Sequence, residues 1–93
     1  MQTYVILRRG AWDSEEELDA AAGLSTQVAD EDMDGRVRWI RSYVLAEEDG
    51  TLGTVCIYQA EDEDAVTEHA NRAELPADEI ILVANTVIIR DDP

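Results

Sequence analysis

The chain predicts an α+β sandwich of the ferredoxin-like kind, with one four-stranded antiparallel sheet and both helices on one of its faces. Three observations predict it. Residues 36–60 read as a β-hairpin, RVRWIRSYVLA and GTVCIYQA around an Asp49-Gly50 turn, rich in the β-branched and aromatic residues that strands favour. A capped helical pattern lies before it, and a second, opened by acids, lies after it. Short apolar runs flank the whole, so the order is strand, helix, strand, strand, helix, strand. Two right-handed βαβ crossovers then share one sheet.

The first run, Thr3–Arg9 (TYVILRR), suits a buried strand ended by Gly10. Ser14 can cap the next helix and Glu17 can reach back to close a capping box, while Glu15, Glu16 and Glu17 face the positive end of its dipole. Helical spacing of Leu18, Ala21, Leu24 or Ser25, Val28 and Ala29 carries the helix to about Met33, before Asp34-Gly35. Gly23 inside it implies a bend or a close neighbour. The second helix, Glu61–Glu74, buries Val66, Ala70 and Ala73 and ends at Leu75-Pro76. Glu79–Arg90 is the last strand, with a break near Asn85 and a tail able to reach past the sheet.

Strict alternation along the hairpin places Val37, Trp39, Arg41, Tyr43 and Leu45 on one face and Ile40, Ser42, Val44 and Ala46 on the other. The return arm divides into Thr54, Cys56, Tyr58 and Ala60 against Val55 and Ile57. Both faces carry large apolar groups. The chain's own helices cover one, and a bare second face predicts a homodimer stacked sheet on sheet.

Ninety-three residues suit a single domain spanning 1–93. No run approaches the roughly 20 apolar residues of a membrane span, and the start lacks a secretory pattern. One cysteine fits a reducing compartment, so the expectation is a soluble, cytoplasmic protein. Twenty-two acids against seven bases, all arginine, give a net charge of −15. That balance opposes nucleic-acid binding, which rests on clustered cations. It also points to a halophilic source, since concentrated salt screens so much like charge; the alternative is an ordinary acidic protein from a GC-rich genome.

At the hairpin and beyond, Val37-Arg38-Trp39, Ser42-Tyr43-Val44, Cys56-Ile57-Tyr58-Gln59-Ala60, Val66, His69-Ala70 and Leu75-Pro76-Ala77-Asp78 carry a family likeness. Over residues 36–83 the chain resembles the small ferredoxin-like proteins grouped as domain of unknown function 4242, which include a nickel-binding member. The resemblance implies the βαββαβ fold, a dimer of the two-sheet α/β barrel kind, and nickel or another divalent metal as ligand. It implies no reaction.

His69, the one histidine, stands at the edge of the second helix's buried stripe and is the candidate metal ligand. Its alternative is a structural, hydrogen-bonded histidine. Cys56 reads as a small packed hydrophobe, with Arg41 as the positive group able to activate it. Trp39, Tyr43 and Tyr58 either line a pocket or fill a dimer core. Paired acids such as Glu61/Glu63 follow from composition, and no phosphate loop, nucleophile triad or CxxC ribbon is present. Three functions are compatible with this: a nickel-binding protein, a cofactor-free enzyme of monooxygenase or cyclase type using His69 as base, or an accessory protein.

Overall fold

The computed structural model describes residues 1–90. Its elements are strand β1 (Gln2–Trp12), helix α1 (Glu15–Gln27), strands β2 (Val37–Ala46) and β3 (Leu52–Ala60), helix α2 (Glu63–Arg72) and strand β4 (Glu79–Leu82). The sheet order is β2-β3-β1-β4 with every neighbouring pair antiparallel. This is the ferredoxin-like sandwich the sequence predicts. Among the described residues no helix is long and apolar enough to cross a membrane.

Local chemistry explains both helix starts. Ser14 Oγ accepts from the Glu17 N–H at 3.3 Å, and the Glu17 carboxylate accepts from the Asp13 N–H at 2.7 Å. Asp62 Oδ1 accepts from Ala65 N–H at 2.8 Å to begin α2. These side chains satisfy amide donors that no helical carbonyl can reach. Past Gln27 the helix widens into a π-helical turn over Val28–Asp32, where Met33 N–H bonds the Val28 carbonyl at 3.0 Å. The wide turn brings Val28, Ala29 and Met33 into the core together. Nothing stands within 4 Å of a Cβ built on Gly23, and α1 runs through it, so no close neighbour explains that glycine. At the end of α2, Leu75 N–H reaches the Ala70 carbonyl while Glu74 takes a positive φ of 57°, closing a Schellman turn.

The core lies between the sheet and the helices. Ile6, Val37, Tyr58 and Ala60 from the sheet meet Val28, Met33, Ala65, Val66 and Ala73. Each fully buried aliphatic side chain, such as Ile6 or Val66, contributes about 1.5–3 kcal/mol through removal from water.

Three boundaries differ from the sequence expectation. Gly10 does not end β1. It takes φ +55° within a register shift between Arg8 and Trp12, and the strand resumes with Trp12 opposite Leu52. The last strand stops at Leu82 rather than Arg90, because its partner runs out: Leu82 pairs with Tyr4, Val83 N–H bonds the Thr3 carbonyl, and β1 begins at Gln2. Beyond that bond the chain runs on to residue 90 outside any strand, and Val87, Ile88 and Ile89 are more than three-quarters exposed.

The third difference is in β2. Its pairing with β3 shifts between Trp39 and Arg41, so Trp39 opposes Tyr58 but Arg41 opposes Ile57. Ile40 is the extra residue of the bulge. A one-residue slip sends every following side chain to the other face. Ser42 and Val44 therefore join Cys56 and Thr54 on the helix-side face, Val44 at its exposed margin, while Arg41, Tyr43 and Leu45 go to the open face with Ile57, Val55 and Gly53.

Candidate functional site

The helix-covered face gathers the polar side chains of interest at the end nearest the β1 bulge. Arg8 and Thr54 are register partners across β1 and β3, and Cys56 opposes both Ile6 and Ser42. Tyr58 lies beyond them opposite Trp39. The helix α1 passes over this ground with Leu18, Ala21, Ala22 and Ser25. Alanines are too short to fill the space between helix and sheet. A cavity of about 160 Å³ remains, walled by Arg8, Trp12, Trp39, Thr54, Cys56 and Tyr58 below the helix.

Arg8 is the residue the sequence reading passed over. It is 1% exposed, its Nε donates to the Pro76 carbonyl at 2.6 Å, and its Nη1 donates to Cys56 Sγ at 3.2 Å. Among the described residues its Nη2 and the Thr54 hydroxyl have no hydrogen-bond partner. The signal was present in the sequence: Tyr4, Ile6 and Arg8 repeat at the strand period, so Arg8 inherits the inward face. Cys56 is buried, as a packed thiol should be, but the cation beside it is Arg8. The bulge at Ile40 has carried the expected Arg41 to the opposite face.

Of the three aromatic candidates the structure brings two together. The Trp39 and Tyr58 rings sit 6.1 Å apart at 57°, and Trp39 Nε1 donates to Ser42 Oγ at 2.8 Å. Tyr43 is on the open face and 47% exposed. It borders a separate groove, of about 740 Å³, between that face and residues 83–90. Tyr58 OH is 3.2 Å from Ser25 Oγ, and burial raises the phenol's pKa; the Ser25 bond opposes the rise, nearby Cys56 adds to it, and Arg8 opposes it.

His69 is wholly buried. Its ring meets Tyr58 edge-on at 5.2 Å, and Nε2 lies 3.0 Å from the Ser25 carbonyl oxygen. A carbonyl only accepts, so Nε2 carries the proton, and Nδ1 has no partner in the structure. Burial holds the imidazole pKa below its usual value; the Ser25 carbonyl counters this and the charge of Arg8 reinforces it. These surroundings do not fit a metal centre. No Cys, Asp or Glu joins His69 in a ligand set, and among the described residues no group of three or more such side chains could hold an ion. Nor does His69 belong to the cavity wall, where a general base would have to stand.

The fold and this geometry can be set beside known proteins. The model of a family described as nickel responsive protein SCO4226-like matches residues 4–83. A structure described as the crystal structure analysis of SCO4226 from Streptomyces coelicolor A3(2) superposes with a TM-score of 0.70 at 19% identity, covering 91% of this chain and 99% of that one. At that identity the likeness speaks for the fold. No curated protein matches the chain. The family match spans most of the sequence, and the chain belongs to the SCO4226-like family of nickel responsive proteins.

Proposed function

We propose that this protein serves the nickel response as a small homodimeric binding protein rather than as an enzyme. The observation that carries the dimer is the open face of the sheet. Tyr43 and Ile81 are about half exposed there, and beside them the tail presents Val87, Ile88 and Ile89 to water. Exposed apolar side chains on the open face, with an apolar tail beside them, favour a partner of the same character. A second copy meets that need symmetrically: each tail lies over the other's sheet, and the groove between tail and face gives it room. The net charge of −15 opposes close approach elsewhere, whereas the groove on this face carries Arg41 and Arg90 as its charged lining residues.

Kinship with nickel responsive proteins supports a role in handling or sensing that metal. The likeness of the hairpin blocks to domain of unknown function 4242 points the same way. The buried position of His69 supports a response that does not run through a His69-centred site.

Sedimentation in concentrated KCl tests the assembly. A species of twice the 10.4 kDa chain mass is expected, dissociating when Tyr43→Glu and Ile81→Glu are combined. A monomer at every concentration would sink the dimer. Calorimetry with Ni²⁺ tests the metal: the His69→Gln protein should match the parent in stoichiometry and affinity. A site lost with that histidine would refute this reading.

A further inference from the structure

We propose that the cavity beneath α1 binds a small organic carboxylate with an apolar, ring-sized body, recognised by the guanidinium of Arg8. The proposal stands on the cavity alone and is independent of the nickel reading.

The first support is a charge out of place. A guanidinium keeps its proton throughout the working pH range. Arg8 is nonetheless buried, and its bonded partners are a carbonyl oxygen and a thiol sulfur. Among the described residues no carboxylate bonds it, in a chain that has 22 acids. Taking an ion out of water without a counter-charge is costly enough that such groups are ordinarily paired. An anion entering the cavity would supply the pairing.

The second support is a matched donor. Thr54 sits directly across from Arg8 in the β1–β3 register, and its hydroxyl is likewise buried without a partner. Arg8 Nη2 and Thr54 Oγ1 both belong to cavity-lining residues. A carboxylate has two oxygens to offer, one for each donor, in a charge-assisted pair.

Size and lining choose among anions. The volume of about 160 Å³ matches one six-membered ring, since an apolar cavity of about 150 Å³ takes up benzene. Trp12, Trp39, Leu18, Ala22 and Leu75 provide the apolar walls, which an inorganic anion would leave uncovered. Asp19 also lines the space, and its negative charge disfavours a dianion. The ligand class is therefore a monocarboxylate bearing an aromatic or compact aliphatic group.

Trp12 and Trp39 are the only tryptophans in the chain and both line the cavity, so intrinsic fluorescence reports binding directly. Benzoate, benzamide and inorganic phosphate are the probes, titrated into the full chain. Benzoate should saturate with one molecule per chain, neutral benzamide should bind at least tenfold more weakly, and phosphate should give no saturable change. Arg8→Met should abolish the benzoate response. Ala22→Phe, which places a ring in the cavity while leaving Arg8 intact, should block it too. Should Arg8→Met fail to fold, the benzoate and benzamide comparison and Ala22→Phe decide. The proposal is overturned by no saturable benzoate binding up to about 10 mM. It is equally overturned by benzamide matching benzoate, by binding of phosphate alone, or by benzoate binding undiminished in Ala22→Phe.

Discussion

His69 Nε2 lies 3.0 Å from the Ser25 carbonyl oxygen, so the chain's single histidine fastens α2 to α1 from within the core. The bond fixes the tautomer, and it leaves Nδ1 buried with no acceptor for the N–H that a second proton would create there.

A pH dependence follows from that placement. Burial lowers the folded-state pKa of His69, so in mildly acid solution the unfolded chain binds a proton the folded chain refuses. The contribution is complete above the unfolded value of about 6.5 and is lost as pH falls towards the folded value. One proton limits the slope to about 1.4 kcal/mol per pH unit. Urea midpoints should therefore decrease from pH 7.5 to 5.5, and His69→Gln should flatten that decrease. The imidazole proton resonance, with no other histidine to overlap it, should titrate below the free-histidine midpoint. A midpoint at or above the free value would contradict the burial.

Gly53 is required by a close approach. A Cβ there would stand 2.5 Å from the Arg8 carbonyl oxygen, a backbone atom that can move only if the β1 bulge moves. Gly53→Ala should destabilise the fold by about 2 kcal/mol or more, at the severe end of overpacking. Circular dichroism melts measure it, and an unchanged melting temperature would show that β1 yields without cost.

Gly23 should behave in the opposite way. It is exposed, helical and without a neighbour within 4 Å of a built Cβ. Replacing it by alanine removes a flexible residue from a helix interior, and Gly23→Ala should raise stability by about 1 kcal/mol. For a domain of this size that is a melting shift of about 4–8 °C. A loss of stability would mean that α1 needs a bend at this point.

Salt should stabilise the protein. The net charge of −15 leaves many acids without a partner, although Arg36 joins Glu61 and Glu68, Arg72 joins Glu68, and Arg9 joins Glu47. Raising KCl to about 1 M shortens the screening length to about 3 Å and should add at least 1 kcal/mol, or about 4–8 °C in melting temperature. Neutralising the exposed run with Asp30→Asn, Glu31→Gln and Asp32→Asn should shrink that response. A melting temperature indifferent to KCl would remove the halophilic reading.

Much of the fold could be read in advance because its signals are local. Ser14 with Glu17 marks the start of α1, the Asp49-Gly50 pair marks the hairpin turn, and Leu75-Pro76 follows the end of α2. The candidate site was only half visible. Trp39, Tyr58 and Cys56 could be placed on one face from alternation, and they do meet around one cavity. Tyr43 and Arg41 were assigned beside them by the same rule and lie on the other side. Arg8 was not singled out, although its spacing from Tyr4 and Ile6 points inward.

By itself, then, the order of residues determined which segments become helices and strands, where the caps fall, and how acidic the surface is. Those choices depend on neighbours three or four positions away along the chain. Only the assembled sheet decided that β1 bulges at Gly10, that β2 bulges at Ile40, and that β4 stops when β1 offers no further partner. Each of these depends on pairing with a strand distant in sequence. Because strand side chains alternate with a period of two, a one-residue shift exchanges inside for outside. The shift at Ile40 put Ser42 in place of Arg41 beside Cys56 and left Arg8 as the cation of the cavity.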